Sequence, residues 1–211
     1  MNRVFSEILN LLFPRRCIFC REYLPHDADT PVCRRCAAAH PPLPPRELTI
    51  AVGKCYYILD YRAEVRRAIL GFKFRGLPQY AAAFGPLLGP AVNQWGSVDC
   101  ITWAPVSALR LAKRGYDQSR LLAEAAGAAL GIPVRQLISK RRHTRPQSRL
   151  SREKRRENVR GAYVPLKTAI PSGGRVVLID DIVTTGSTLS ACCQALYQGG
   201  AGEVLCLALA H

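Results

Sequence analysis

Two adjacent acids and a hydroxyl-rich turn follow an apolar run. Val176, Val177, Leu178 and Ile179 lead into Asp180 and Asp181, then Ile182, Val183, Thr184, Thr185, Gly186, Ser187 and Thr188. The apolar run suits a strand buried on both faces of a parallel sheet, and open α/β sheets bind ligands beyond the carboxyl ends of their strands. The turn opens a helix, whose N–H groups and dipole favour a phosphate. Gly186 lets the backbone approach closely, and the hydroxyls of Thr184, Thr185, Ser187 and Thr188 add neutral donors. Asp180 and Asp181, expected to be exposed, would repel that phosphate. They call for sugar hydroxyls or a divalent metal, so the pattern describes a sugar phosphate. The segment has neither the Gly-Lys-Ser/Thr of a Walker loop nor a Gly-x-Gly-x-x-Gly fingerprint. The alternative is a structural pair of acids capping an ordinary turn.

A second cluster lies near the start: Cys17 and Cys20, then Cys33 and Cys36, two Cys-x-x-Cys pairs with twelve residues between them. Four thiolates suit tetrahedral Zn²⁺, and a segment with so few core residues would hardly fold without a metal. A disulfide pair or unrelated cysteines are the alternatives. Four cysteines fill the coordination without His26 or His40, so the site is closed and structural. Arg15, Arg16, Arg34 and Arg35 flank it and permit contact with nucleic acid. The other five of nine cysteines, Cys55, Cys100, Cys192, Cys193 and Cys206, lie in apolar stretches and read as small buried hydrophobes. The odd total, and a start that lacks a signal peptide's h-region and cleavage site, point to a reducing, cytoplasmic setting. Residues 4–12 have helical apolar spacing and read as a short helix packed on the protein, or else lying on a membrane surface.

The elements that must hold these groups are legible from periodicity. At 211 residues and 48% hydrophobic, the chain suffices for one α/β domain and a small appendage. No apolar run reaches the roughly 18 residues of a membrane span. Residues 41–46, Pro-Pro-Leu-Pro-Pro-Arg, read as a stiff linker. The expected organisation is therefore a helix and zinc-ribbon-like domain over 1–46 and an α/β domain over 47–211. Strands are expected at 54–61, 98–106, 133–139, 175–182 and 203–210. Helices are expected at 63–74, 79–94, 118–130 and 188–199. This alternation makes a mostly parallel sheet flanked by helices.

Charge is uneven. Of the net +15, residues 135–160 contribute +9, from eleven Lys and Arg against two Glu. Such a block suits a polyanionic partner; composition alone favours a solvated, mobile loop. Residues 143–160 lack apolar periodicity and read as a long loop.

The Asp-Asp and Thr/Gly/Ser run resembles the signature of type I phosphoribosyltransferases. Two further segments narrow the resemblance. One is Ala104-Pro105-Val106 with Lys113-Arg114-Gly115-Tyr116-Asp117-Gln118-Ser119-Arg120. The other is Arg145-Pro146-Gln147-Ser148-Arg149-Leu150-Ser151-Arg152 with Arg155-Arg156-Glu157-Asn158-Val159-Arg160-Gly161-Ala162-Tyr163. With the Cys pairs, nearly the whole chain resembles the ComF/GntX family. The resemblance implies a type I phosphoribosyltransferase-like fold that binds 5-phosphoribosyl-1-diphosphate with Mg²⁺. Asp180 and Asp181 would hold the ribose hydroxyls, and Thr184–Thr188 the 5-phosphate. The diphosphate would lie by Pro105, Lys113 and Arg114, with Arg145, Arg149 and Arg152 on a loop that closes over such sites. Lys73 falls on a family motif and would reach the diphosphate, unless it is a solvated helix-end lysine. The resemblance implies phosphoribosyl transfer to an acceptor and a link to DNA uptake in natural transformation. The competing reading is a non-enzymatic sensor of the sugar diphosphate that binds single-stranded DNA. Asp117 departs from the family's more frequent Asn.

Overall fold

A computed structural model describes residues 15–25, 28, 30–41, 44–142, 144, 151–166 and 173–211, with backbone alone at 152, 155 and 156. The expected helix in residues 4–12 lies outside the described residues.

The sheet forms where the apolar runs predict it. β1 (Arg46–Thr49), β2 (Lys54–Leu59), β3 (Cys100–Trp103), β6 (Arg175–Ile182) and β7 (Glu203–Ala210) make five strands in the order β1-β2-β7-β6-β3. Every pairing is parallel except the β1–β2 hairpin. β6 lies between β7 and β3. Val176 through Ile179 are fully buried, as a strand covered on both faces requires. Helices α2 (Ala63–Phe74) and α6 (Gln118–Leu130) occupy the expected positions. Gly131 ends α6 in the left-handed conformation, its N–H bonding Gly127 O. α8 (Ser187–Gln198) links β6 to β7 as a parallel crossover.

Other expectations are corrected. The helix expected over 79–94 is broken into 3₁₀ turns at Pro78–Tyr80 and Gly85–Leu88 and short helices α3 (Ala81–Phe84) and α4 (Gly89–Asn93). Pro86 and Pro90 lack the N–H that a continuous helix needs. Gly85 sits so close to α6 that a Cβ there would fall 2.3 Å from Ala125 Cβ. The strand expected over 133–139 is one bridge, Val134 to Ile101, followed by β4 (Ile138–Lys140). β4 pairs antiparallel with β5 (Tyr163–Pro165), which the periodicity did not show. The long loop expected over 143–160 contains helix α7 (Arg152–Val159), where Ser151 Oγ accepts from Lys154 N at 3.4 Å. Val159 is buried, and one apolar anchor in a charged helix leaves no periodicity to read. Two helices went unseen: α1 (Arg34–Ala39) after Cys33, and α5 (Ala108–Arg114).

The Cys segment is docked on this domain. Phe19 is buried with its ring 6.2 Å from Phe84 and 5.2 Å from His40, and the Arg21 guanidinium donates to Tyr80 Oη.

Candidate functional site

A cleft of about 1050 Å³ opens beyond the carboxyl ends of β3 and β6, and Asp180, Asp181, Thr184 and Thr188 line it. The two acids differ. Asp181 is 3% exposed, contrary to the expected exposure. Its Oδ1 lies 2.9 Å from Lys73 Nζ, on the last turn of α2, while its Oδ2 is buried without a hydrogen-bond partner among the described residues. Asp180 accepts from Ser119 Oγ at 2.8 Å and from Asp181 N at 2.9 Å. Burial first, then the Asp181 charge, pushes its carboxyl up to about 7, against Lys73 and those two donors.

The turn after β6 is tightly built. Gly186 has φ +68°, and a Cβ there would fall 2.1 Å from Ile50 Cγ2, so the position excludes a side chain twice over. Thr185 Oγ1 and Ser187 Oγ are 2.8 Å apart, and Ser190 Oγ accepts from Val52 N at 3.2 Å. The β1–β2 turn thus braces the N-terminus of α8, a contact no local pattern signals.

Across the cleft, Ala104, Pro105 and Val106 leave β3, and Arg110, Lys113 and Arg114 follow on α5. Arg114 bonds Gln118 Oε1 at 2.5 Å and lies 4.7 Å from the centre of the Phe74 ring. Asp117 caps α6. Its Oδ1 accepts from Ser119 N at 3.1 Å and Arg120 N at 3.2 Å, and its Oδ2 from Val106 N at 3.0 Å. Both oxygens act as acceptors, whereas an Asn side chain offers one. Asp117 therefore ties the loop after β3 to the start of α6, next to Ser119.

The structure brings Lys73, Pro105, Lys113, Arg114, Asp180, Asp181, Thr184 and Thr188 into one cleft. Gly186 and Ser187 are buried and do not line it. Arg145 and Arg149 lie outside the described residues, and Arg152 is placed by its backbone in α7. Sequence reasoning missed Ser119, Arg110, Lys140 and Tyr163. Ser119 stood inside a quoted motif; Lys140 was masked by Arg141 and Arg142 beside it.

The four clustered cysteines converge as expected. Their Sγ atoms all lie within 4.8 Å of one another, with Cys20 and Cys33 at 3.7 Å. The edge of a tetrahedron of Zn–S bonds is about 3.8 Å, so the cluster could hold a zinc ion. Cys33 N donates to Cys17 Sγ and Cys36 N to Cys33 Sγ, each at 3.4 Å. Cys55, Cys100, Cys192, Cys193 and Cys206 are buried. Among the described residues, no helix is long and apolar enough to cross a membrane.

A mostly parallel sheet with an Asp-Asp strand end and a hydroxyl turn opening a helix defines a phosphoribosyltransferase-like α/β protein, and the phosphoribosyl transferase domain family matches residues 116–211. The "DNA utilization protein YhgH" of Salmonella typhimurium is 30% identical over 82% of this chain and 81% of its own length. "Competence protein F" of Haemophilus influenzae is 34% identical over 54% of this chain and half of its own. "Competence protein ComFC" of Streptococcus pneumoniae is 28% identical over 70% and 63%. The chain belongs to the ComF family.

Proposed function

We propose that the cleft binds 5-phosphoribosyl-1-diphosphate and transfers its phosphoribosyl group to an acceptor, releasing pyrophosphate. The observation that carries this reading is Asp181, which lines the same cleft as Thr188 at the start of α8 and whose buried Oδ2 has no hydrogen-bond partner among the described residues. A buried unsatisfied acceptor calls for a donor from outside, and a ribose hydroxyl supplies one. Asp180 and Asp181 take the ribose hydroxyls, and Thr184, Thr185, Gly186, Ser187 and Thr188 take the 5-phosphate. Pro105, Lys113 and Arg114 face the diphosphate; Arg145, Arg149 and Arg152 add cations. Lys73 holds Asp181 in place and lies within reach of the same ligand. Cations fixed where the leaving group gains charge favour the transition state.

Oxygen-rich ligands and two cleft carboxylates fit Mg²⁺, which would enter with the diphosphate and neutralise part of its charge. Cys17, Cys20, Cys33 and Cys36 hold a structural Zn²⁺, with residues 1–46 as the metal-binding segment and 47–211 as the phosphoribosyltransferase-like domain. The names of the relatives, competence and DNA utilization proteins, support a role in handling imported DNA. A second reading, a ligand sensor that binds single-stranded DNA, is favoured by the basic block and by Arg16, whose guanidinium lies 4.1 Å from the centre of the exposed Tyr23 ring.

Titration of the protein with 5-phosphoribosyl-1-diphosphate and Mg²⁺, following pyrophosphate release with nucleobases or single-stranded DNA present, tests both. Saturable binding with release supports transfer. Binding of both ligands without release favours the sensor. Absence of sugar-diphosphate binding overturns the two together.

A further inference from the structure

The cleft contains cations that the phosphoribosyl signature does not assign. Lys140, at the end of β4, and Arg110, on α5, both line it and are only partly exposed. Lys140 Nζ donates to Tyr163 Oη at 2.9 Å and lies 4.8 Å from the centre of that ring; Tyr163 is buried on β5. Arg110 Nη2 donates to Thr144 O at 3.1 Å. Among the described residues, neither cation has a carboxylate within ion-pair distance, although every acid of the cleft is placed: Asp181 is taken by Lys73, and Asp180 by Ser119 and the backbone. Two partly desolvated cations of like charge without an anionic partner are costly to fold. Such an arrangement persists where an anion from outside completes it.

Resting on the reading given under Proposed function, we infer that Lys140 and Arg110 form an anion subsite for the diphosphate, with Tyr163 as the positioning residue that aims the Lys140 ammonium. The diphosphate is assigned here because the 5-phosphate already has the N–H groups of the α8 terminus. Arg110 also stands on the helix that follows the Ala104–Val106 loop, next to Lys113 and Arg114. Lys140 and Arg110 come from different elements, and the anion would bridge them.

This subsite has a pH signature. Burial first, then the Arg110 charge, brings the Lys140 ammonium down to about 8, against Cys192, Asp180 and Asp117, which raise it. These groups approach it from α5, α8, β6 and the start of α6, and Tyr163 from β5 is a neutral phenol, its own pKa raised well above the ordinary value by burial. A bound anion favours the charged form, so binding takes up a proton and affinity falls as pH rises through about 8.

Calorimetry with pyrophosphate, ribose 5-phosphate and 5-phosphoribosyl-1-diphosphate, each with Mg²⁺, reads this directly. At pH 8, in two buffers of different ionisation heat, the wild type should take up about half a proton more per pyrophosphate bound than Lys140→Arg, since arginine does not titrate there. Lys140→Arg should keep most of the affinity. Lys140→Met should lose roughly ten- to a hundredfold for pyrophosphate and much less for ribose 5-phosphate, with a melting curve confirming the fold. Tyr163→Phe removes an acceptor from the ammonium, so the midpoint of the affinity profile should move to lower pH. Equal proton uptake in wild type and Lys140→Arg overturns the inference, as does a Lys140→Met loss confined to ribose 5-phosphate or a wild type that does not bind pyrophosphate. Lys140-dependent pyrophosphate binding in a protein that ignores the sugar diphosphate supports the anion subsite while overturning the transferase reading.

Discussion

The cysteine knuckle and the cleft are both clusters of chemically potent side chains, built on opposite plans. In the knuckle four like groups turn inward on one point: the sulfurs lie within 4.8 Å of each other, backbone N–H groups of the same segment bond them, and Phe19 seals the unit against Phe84. In the cleft, groups come from distant parts of the chain and are left incompletely paired. Among the described residues, Lys73 takes one oxygen of Asp181 and the other has no partner, while Lys140 and Arg110 line the cleft with no carboxylate at ion-pair distance. A cluster that completes itself holds a fold together. A cluster left incomplete stores a cost that a ligand can offset.

The largest effect should come from breaking the self-contained cluster. Protein purified without chelator should carry about one zinc per chain; a metal content near zero, with four free thiols in the segment, would remove the assignment. Stripping that metal should undock Ile18 and Phe19, both buried. Their burial is worth roughly 3–6 kcal/mol; at about 2–4 °C per kcal/mol for a chain of this size, the melting temperature should fall by around 10 °C. An unchanged melting curve after chelation would show that the knuckle stands without metal.

Next in size is Asp181→Asn. It removes the carboxylate from a Lys73 that is 17% exposed, leaving a charge without its partner. Breaking such a pair from one side typically costs about 3–5 kcal/mol. Denaturant unfolding should show that loss, and calorimetry should show loss of sugar-diphosphate binding. Wild-type stability in the variant would mean that the ion pair is not formed in solution.

Asp180→Asn should act with the opposite sign, which sharpens the contrast within the cleft. The Asp180 carboxyl, pushed up to about 7, is held above its unfolded value of 3.8. The folded state therefore keeps a proton that the unfolded state gives up, and wild-type stability falls as pH rises between those values. An Asn oxygen can still accept from Ser119 Oγ and Asp181 N. The variant should gain on the wild type progressively from about pH 4 to pH 7, by no more than about 1.4 kcal/mol per pH unit, and the difference should level off above that. A pH-independent difference would place Asp180 in an ordinary solvated setting.

These predictions depend on geometry that the sequence displayed unevenly. β6 and β7 could be read from their continuous apolar runs, and α2 and α6 because their apolar residues repeat at the helical period, α6 ending at the clear stop of Gly131. The acids and the hydroxyl turn were legible for the same reason: they are contiguous. β1 and β5 are short, and α7 buries Val159 but is otherwise highly charged, so none has a period to detect. The burial of Asp181 depends on Lys73, more than a hundred residues away, and the pairing of Lys140 with Tyr163 depends on a hairpin between two three-residue strands. Asp117 was visible as a departure from a pattern, but its use of both oxygens as acceptors appears only once Val106 folds back onto it.

The smallest effect on the folded protein should come from replacing Arg145, Arg149 and Arg152 together by Ala, since that stretch has no apolar period in the sequence and substitutions away from a core usually stay within about 0.5 kcal/mol each. Its value is that it assigns the basic block to the cleft or away from it. If these arginines serve the diphosphate, pyrophosphate release should collapse while affinity for single-stranded DNA changes little. If they form a nucleic-acid surface, DNA affinity should fall and the dependence of log affinity on log salt should flatten by about 0.7 for each lost phosphate contact, with sugar-diphosphate binding intact. Loss of both would join the block to the two ligands at once, as a segment that holds a strand beside the ribosyl site. Loss of neither would leave it a solvated surface, and the case for a nucleic-acid partner would then rest on the knuckle, where Arg16 covers the exposed ring of Tyr23.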